Sequence, residues 1–538
     1  MAHDAVASSV VLLLLLACAS SDTAAPDQQP LLVAQTCNGA ATLHGGTIVR
    51  EHWEASDNPH AIVDTLTVTG TLSIEPGVEV CIEPDVPILL GETAAISARG
   101  TPADSIVLTA GDPARPWGGV RPRGECFFPS LSGRSCTAPF SIFEYVRLEH
   151  ATEGISLGTS VRIAHSHFRQ IRCGAVAASH LAFSRVDSAG RDGCASVVMG
   201  YGSDHFEENV IVGSGGGGLS FGGVGTSSSS VVTGSVAILG GRIEGSRDVG
   251  LSFSSWWSSA TVSAPVPLRI TGGSTMPVHA PMDVVFKLWP TAAAQDSIRG
   301  NASDTLRVWG AAQRVEVAPG LVLVVERRAN PAAAPWSEIG AGGLVLHPGA
   351  GLVLEHMLRV HGPLHAEGSP AAPIRISGDD VLELRCTVGM SPPCDYESRI
   401  EHVELHRVSL YSEQTVTLAN VVARETGGLG VSASSRVLDT LIEDARSDGL
   451  SLGAGASASN CVVRRSAGSG IVVSSPSTNV SIHQCQLEEN AGPGVQNFGS
   501  DVVDARFNWW GDPAGPLGPA GDGAEGNVDY SSHLASRP

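Results

Sequence analysis

Short runs of Val, Ile, Leu, Ser and Thr, apolar and polar in alternation and broken by Gly, Asn and Asp, recur along most of the chain. A period of two over so few residues predicts strands joined by turns rather than helices. A longer period lies on top of it. A Gly followed by an apolar residue recurs at Gly428-Leu429, Gly449-Leu450, Gly470-Ile471 and Gly494-Val495. Earlier come Gly154-Ile155, Gly174-Ala175, Gly193-Cys194, Gly218-Leu219 and Gly250-Leu251. Repeats of about 20 to 25 residues are the mark of a solenoid. The Leu and Asn spacing of leucine-rich repeats is absent, so the pattern points to an all-β parallel β-helix.

A still larger repeat divides the chain. Asp64 to Gly70 matches Asp304 to Gly310, followed by the turns Pro76-Gly77 and Pro319-Gly320. Ala98 to Ala103 matches Ala366 to Ala371, and Phe143 to Val146 matches Ile400 to Val403. The landmarks keep their order, which predicts a tandem duplication: a first block over residues 37–263, connecting coils over 264–300 and a second block over 301–538. Within the connection, Leu268-Arg269-Ile270 and Val284-Val285-Phe286 read as strands, whereas the Gly/Ser stretch from Ser214 to Ser230 reads as a loop. Trp509 and Trp510 read as a plug over the last coil, with a sugar-stacking platform as the alternative.

Composition agrees with this plan. The chain of 538 residues holds 63 Gly and 32 Pro against 12 Phe, 9 Trp and 5 Tyr. Tight corners need glycine, and a narrow interior packed by small and branched aliphatics leaves little room for rings. The net charge is −21, with Lys287 the sole lysine. Nucleic-acid binding needs a basic stripe, so that class is excluded.

Eleven cysteines suggest an oxidising compartment. Cys461 and Cys485 stand the same distance before their glycines, Gly470 and Gly494, which stacks one above the other as a disulfide. Cys173 and Cys194 lie one period apart. Cys126 with Cys136 and Cys386 with Cys394 close equivalent loops, and elimination leaves Cys37 with Cys81.

Leu72-Ser73-Ile74-Glu75-Pro76-Gly77-Val78, Gly100-Thr101-Pro102, Ile106-Val107-Leu108-Thr109 and Trp117-Gly118-Gly119-Val120 resemble the opening coils of bacterial right-handed parallel β-helix surface proteins of the pectin-lyase-like superfamily. Asn508 to Pro516, with Gly521-Asp522 and Val528-Asp529-Tyr530, is similar to the terminal coil of the same group. The resemblance implies the fold but no particular activity, since this fold hosts lyases, hydrolases, adhesins and inert scaffolds. The apolar run Val10 to Ala17 ending at Cys18 resembles a bacterial lipobox, although Met1 to Asp4 carries no Lys or Arg. It implies a lipoprotein signal peptide over residues 1–17, lipidation at Cys18, a flexible tether over 18–36 and, from Ala19, sorting to the outer membrane of the cell envelope. An ordinary cleaved signal peptide, with Cys18 incidental, is the other reading.

For chemistry, Glu443 and Asp444, Arg464 and Arg465, and Glu488 and Glu489 keep matching offsets over three periods. A lyase of this fold would use such carboxylates to hold Ca²⁺ against an acidic sugar and an arginine as base. The competing reading is a surface ladder of ion pairs. Asp379-Asp380 lacks the companions of a glycoside hydrolase and reads as a turn. His165 with His167, and His402 with His406, could each share a strand face, yet no cysteine or carboxylate spacing completes a metal set, so none is assigned. Gly218-Leu219-Ser220-Phe221-Gly222 fits a nucleophile elbow only on paper, since no helix follows it. The sequence favours a lipid-anchored, non-enzymatic β-helix that is structural or binds polysaccharide or a cell-surface protein, and needs no cofactor. A polysaccharide lyase is the alternative.

Overall fold

The computed structural model describes residues 42–123, 139–199, 203–222, 232–254, 257–263, 266–327, 336–386, 394–474 and 478–538. The expected signal peptide, tether and Cys18, together with Cys37, Cys126 and Cys136, lie outside the described residues. The fold is all-β, with strands paired in parallel and few helical segments. No helix among the described residues is long and apolar enough to cross a membrane. Two compact units emerge: Met1–Tyr201 with Asn209–Leu219, and Gly202–Glu208 with Ser220–Pro538.

In the first unit the long strand His60–Ile74 pairs along its length with three short ones, Glu79–Ile82, Pro87–Leu90 and Ala95–Arg99. Each short strand then begins a row. The first row runs through Ile106–Ala110, Val146–Glu149, His167–Arg169, Arg185–Asp187 and Val210–Val212. Alternation turns every second residue inward. Val80, Leu108, Leu148, Phe168, Val186 and Ile211 therefore pair one on the next, all of them buried. Each such side chain contributes about 1.5–3 kcal/mol by leaving water.

The second unit repeats the scheme. One row runs from Thr305–Trp309 to Gln486–Glu488, with Leu323, Leu352, Ile376, Leu405, Ala423, Ile442, Val463 and Leu487 as its buried ladder. Two further rows of ten strands each run beside it. Leu429 pairs with Leu450, Leu450 with Ile471, and Ile471 with Val495, so the glycine period of the sequence is the register of this sheet.

The bends between rows are made by residues with left-handed backbone, and many are not glycine. His402, Asn420, Asp439, Asn460, Gln484 and Phe507 all have φ between 48° and 55° or at 61°. A lone residue there costs about 1–2 kcal/mol; here the N–H of each, as in Asn420 to Leu438 O at 3.2 Å, bonds the next bend. After several bends the next residue's N–H is met by a buried side chain, as a buried donor requires. In the first unit Ser166, Ser184 and Asn209 supply the acceptors: Ser166 N donates to Ser184 Oγ (3.1 Å) and Ser184 N to Asn209 Oδ1 (2.8 Å). Cys461, Cys485 and Asn508 occupy the corresponding place in the second unit. Cys485 N donates to Asn508 Oδ1 at 2.8 Å.

Cys461 is joined to Cys485, with Cα atoms 4.4 Å apart, and Cys173 to Cys194, at 5.1 Å. Cys81 and Cys386 are also disulfide-bonded.

Three local expectations are overturned. Val284-Val285-Phe286 is helical, within Met282–Leu288, because Asp283 and Lys287 pair one turn apart (3.3 Å) while five apolar residues are buried. Gly193, counted with Cys194 among the period markers, sits at φ 86° in a turn closed by its N–H to Gly190 O, and Val197 is the residue that pairs with Val176. Within the stretch expected as a loop, Leu219–Phe221 is a strand with Leu219 and Phe221 buried.

Candidate functional site

The acid and base offsets seen in the sequence converge into one cluster. Arg424, Glu443, Arg464 and Glu488 are register partners on four neighbouring strands, each at the strand's last residue. Asp444, Arg465 and Glu489 follow them in the left-handed bend, which swings a second stripe alongside the first. Glu443 accepts from Arg424 Nε (3.2 Å) and from Arg464 Nε and Nη2 (3.0 and 2.6 Å), and also from Arg465. Arg465 Nε donates to Asp444 at 2.7 Å. Glu488 takes Arg537 at 2.8 Å and Trp509 Nε1 at 3.3 Å.

This geometry is a ladder of ion pairs along the strand ends. The side chains of Glu443 and Glu488 are only 11% and 5% exposed, whereas the arginines remain open to water. The hydrogen bond from Arg465, reinforced by those from Arg464 and Arg424 against the opposing effect of burial, holds the Glu443 carboxyl down at about 2. The same bonds, with Asp444 first, push the Arg465 guanidinium above the ordinary arginine value. An arginine acting as base must release its proton near working pH, so that shift runs against the lyase role.

The other sequence candidates disperse. His165 and His167 do not share a strand face, because His165 occupies a bend (φ 51°) after Ile155–Ala164 and before His167–Arg169. His165 instead stacks between Tyr145 (4.7 Å) and Phe183 (5.1 Å), while His167 bonds Asp187 at 2.8 Å. His402 likewise sits in a bend, just before the strand Val403–His406 that His406 ends. Asp379 accepts from Arg407 at 2.5 Å and from Arg446 at 3.4 Å, and Asp380 caps Val381 N. Ser220 lies mid-strand, with no elbow. Among the described residues no set of three or more His, Cys, Asp or Glu side chains is placed to hold a metal ion. Trp510 is fully buried and meets Tyr530 edge-on at 6.3 Å, and Trp509 is 8% exposed. Neither ring offers a face on which a sugar could stack.

Two features carry no sequence signal. One is the Tyr145–His165–Phe183 ring column, assembled from residues 18 to 20 apart at successive bends. The other is a groove of about 550 Å³ lined by Glu383, Arg385, Tyr411, Glu413, Ser432 and Ser451 among others. On its outward face Glu383 pairs with Tyr411, Tyr411 with Gly430 and Gly430 with Ser451, so bulky residues give way to small ones across four strands. A Cβ on Gly430 would lie 2.8 Å from Tyr411 Cδ1, which places the ring against that glycine. Tyr411 is 47% exposed. A spacing-based reading misses both because the contacts depend on where the bends fall. No protein-family model matches the chain, and no curated protein matches it.

Proposed function

We propose that the chain is a right-handed parallel β-helix, duplicated in tandem and lipid-anchored in a bacterial envelope, serving as a rigid scaffold that binds glycans or surface partners. The strand register supports the fold: each strand pairs with one about a repeat period further on, in three rows. The duplication is supported by Gly100 and Gly368. Gly100 N donates to Glu144 O and Gly368 N to Glu401 O, both at 2.8 Å, and in each place a Cβ would strike the next carbonyl, Tyr145 O or His402 O.

The observation that carries the non-enzymatic reading is the engagement of Arg464 and Arg465 by Glu443 and Asp444. A base engaged this way is protonated and immobilised. The test is incubation with polygalacturonate and alginate in Ca²⁺ while absorbance of unsaturated ends is followed. No product is expected; sustained product that disappears in Arg464→Ala refutes the reading. Growth with a palmitate analogue tests the anchor: label is expected on the wild type and absent from Cys18→Ser.

A further inference from the structure

We infer that the groove beside Tyr411 is a subsite for a neutral oligosaccharide of three to four hexose units, lying across the strands. This rests on the glycan-binding reading and assigns it a place and a ligand chemistry.

The shape comes from the register. The lining spans the strands Val381–Leu384, Ser409–Ser412, Leu429–Val431 and Leu450–Leu452 and reaches Ser474 beyond them. With strands about 4.8 Å apart, the groove is about 19 Å long, and each strand step is close to the length of one hexose residue. The floor is Gly and Ser, too small to fill the space above it. On the second of these strands the Tyr411 ring lies against Gly430, and the residue is 47% exposed. Such a ring suits the C–H face of a pyranose, and its hydroxyl suits water or sugar hydroxyls.

Polar groups follow the same logic. Ser432 Oγ donates to Gln414 O at 2.6 Å and Ser474 Oγ to Leu452 O at 3.2 Å, so both hydroxyl oxygens are left to accept from a ligand.

Charge decides between neutral and acidic sugars. Arg385 donates to Glu383 (3.1 Å) and to Glu413, and Arg359 donates to Glu383 at 2.7 Å while its guanidinium covers the Trp336 ring at 3.5 Å. Two arginines and two glutamates close among themselves, with no net charge. A uronate would find its cations already engaged and two carboxylates beside it, on a chain of net charge −21.

The experiment titrates the full chain calorimetrically with cellohexaose, maltohexaose, mannohexaose and hexagalacturonate. Saturable binding of at least one neutral hexasaccharide is expected, with hexagalacturonate at least tenfold weaker. Tyr411→Ala should weaken binding about tenfold, from the loss of one stacking surface. Gly430→Val, which displaces the ring, should do the same, while Tyr411→Phe keeps the platform and binds within about twofold of wild type. Phe183→Ala, in the other unit, serves as control and binds as wild type. Circular dichroism of each variant separates lost binding from lost folding. Wild-type affinity in folded Tyr411→Ala overturns the groove assignment while leaving glycan binding in place. Tighter binding of hexagalacturonate overturns the charge argument, and binding of no probe overturns both the subsite and the glycan reading.

Discussion

Replacing Glu443 by Gln removes the charge on which three arginines converge while keeping the shape of the side chain. The carboxyl falls from 4.5 to about 2 on folding. Taken at face value, that shift corresponds to about 3.4 kcal/mol, at about 1.4 kcal/mol for each unit. Arg424, Arg464 and Arg465 are 54%, 35% and 38% exposed, so water screens each pair and the expected loss is nearer 1–2 kcal/mol. Two assays read it at pH 7: the urea midpoint, and hydrogen exchange of peptides covering Leu441–Glu443 and Val462–Arg464, which isolates these strands from the rest of the chain. The pH dependence gives the sharper test. A carboxyl whose folded value is lowered stabilises fully above its unfolded value of 4.5, and the contribution fades as pH falls toward about 2. Wild type and Glu443→Gln should therefore differ at pH 7 and converge near pH 2. A difference that is the same at pH 7 and at pH 2.5 would refute the assignment of stability to this charge.

Three further outcomes are expected. Asn508→Ala leaves Cys485 N, Ile482 O and Ala505 O without their partner in a fully buried place, and should cost about 2–4 kcal/mol in chemical denaturation; a loss below about 0.5 kcal/mol would contradict that bonding. A Cβ at Gly154 would lie 1.8 Å from Ala175 O, whereas one at Gly523 meets nothing within 4 Å, so Gly154→Ala should lower the melting temperature sharply and Gly523→Ala leave it unchanged. His44 is buried against Trp53, bonded to Glu51 (3.1 Å) and His60 (2.9 Å), and burial lowers its pKa below 6.5. The unfolded chain then takes up the proton first, so stability is lost as pH drops below 6.5. Amide exchange over Thr42–Trp53 should quicken there in wild type and much less in His44→Gln.

What the sequence makes legible is whatever repeats. Gly428, Gly449, Gly470 and Gly494 mark the register because every period must enter a strand at the same point, and Cys461 and Cys485 follow from it. The spacing of Glu443, Arg464 and Glu488 likewise reads directly as a column. The failures share a cause: a local signal outweighed by its surroundings. Gly193 resembles a period marker but closes a turn. Val284-Val285-Phe286 has the β-branched character of a strand, yet the Asp283–Lys287 pair and burial on nearly every side favour a helix. The bends were illegible since Tyr145, His165, Phe183 and Arg465 occupy a conformation that composition rules give to Gly and Asn. Without the bends, neither the ring column nor the burial of Glu443 can be foreseen, and the Tyr411 groove depends on a Gly430 that looks like any other.

The stacked bends also govern how such a chain can change length. Asn420 bonds Leu438, Asp439 bonds Ser459 and Asn460 bonds His483, so each bend is matched to its successor and to the hydroxyl, amide or sulfur that follows. Adding or losing a single residue inside a strand would turn an inward Leu outward, whereas the bends, 18 to 24 residues apart, absorb differences in length between them. Removing a whole period, such as the 21 residues from Leu429 to Gly449, would bring Leu410 against Leu450 and Asn420 against Asn460, restoring the buried ladder and the bends while setting Arg424 against Arg464 in place of Glu443. A chain built this way can gain or lose strands in steps of one repeat, one strand to each of its rows, without disturbing the register of the rest.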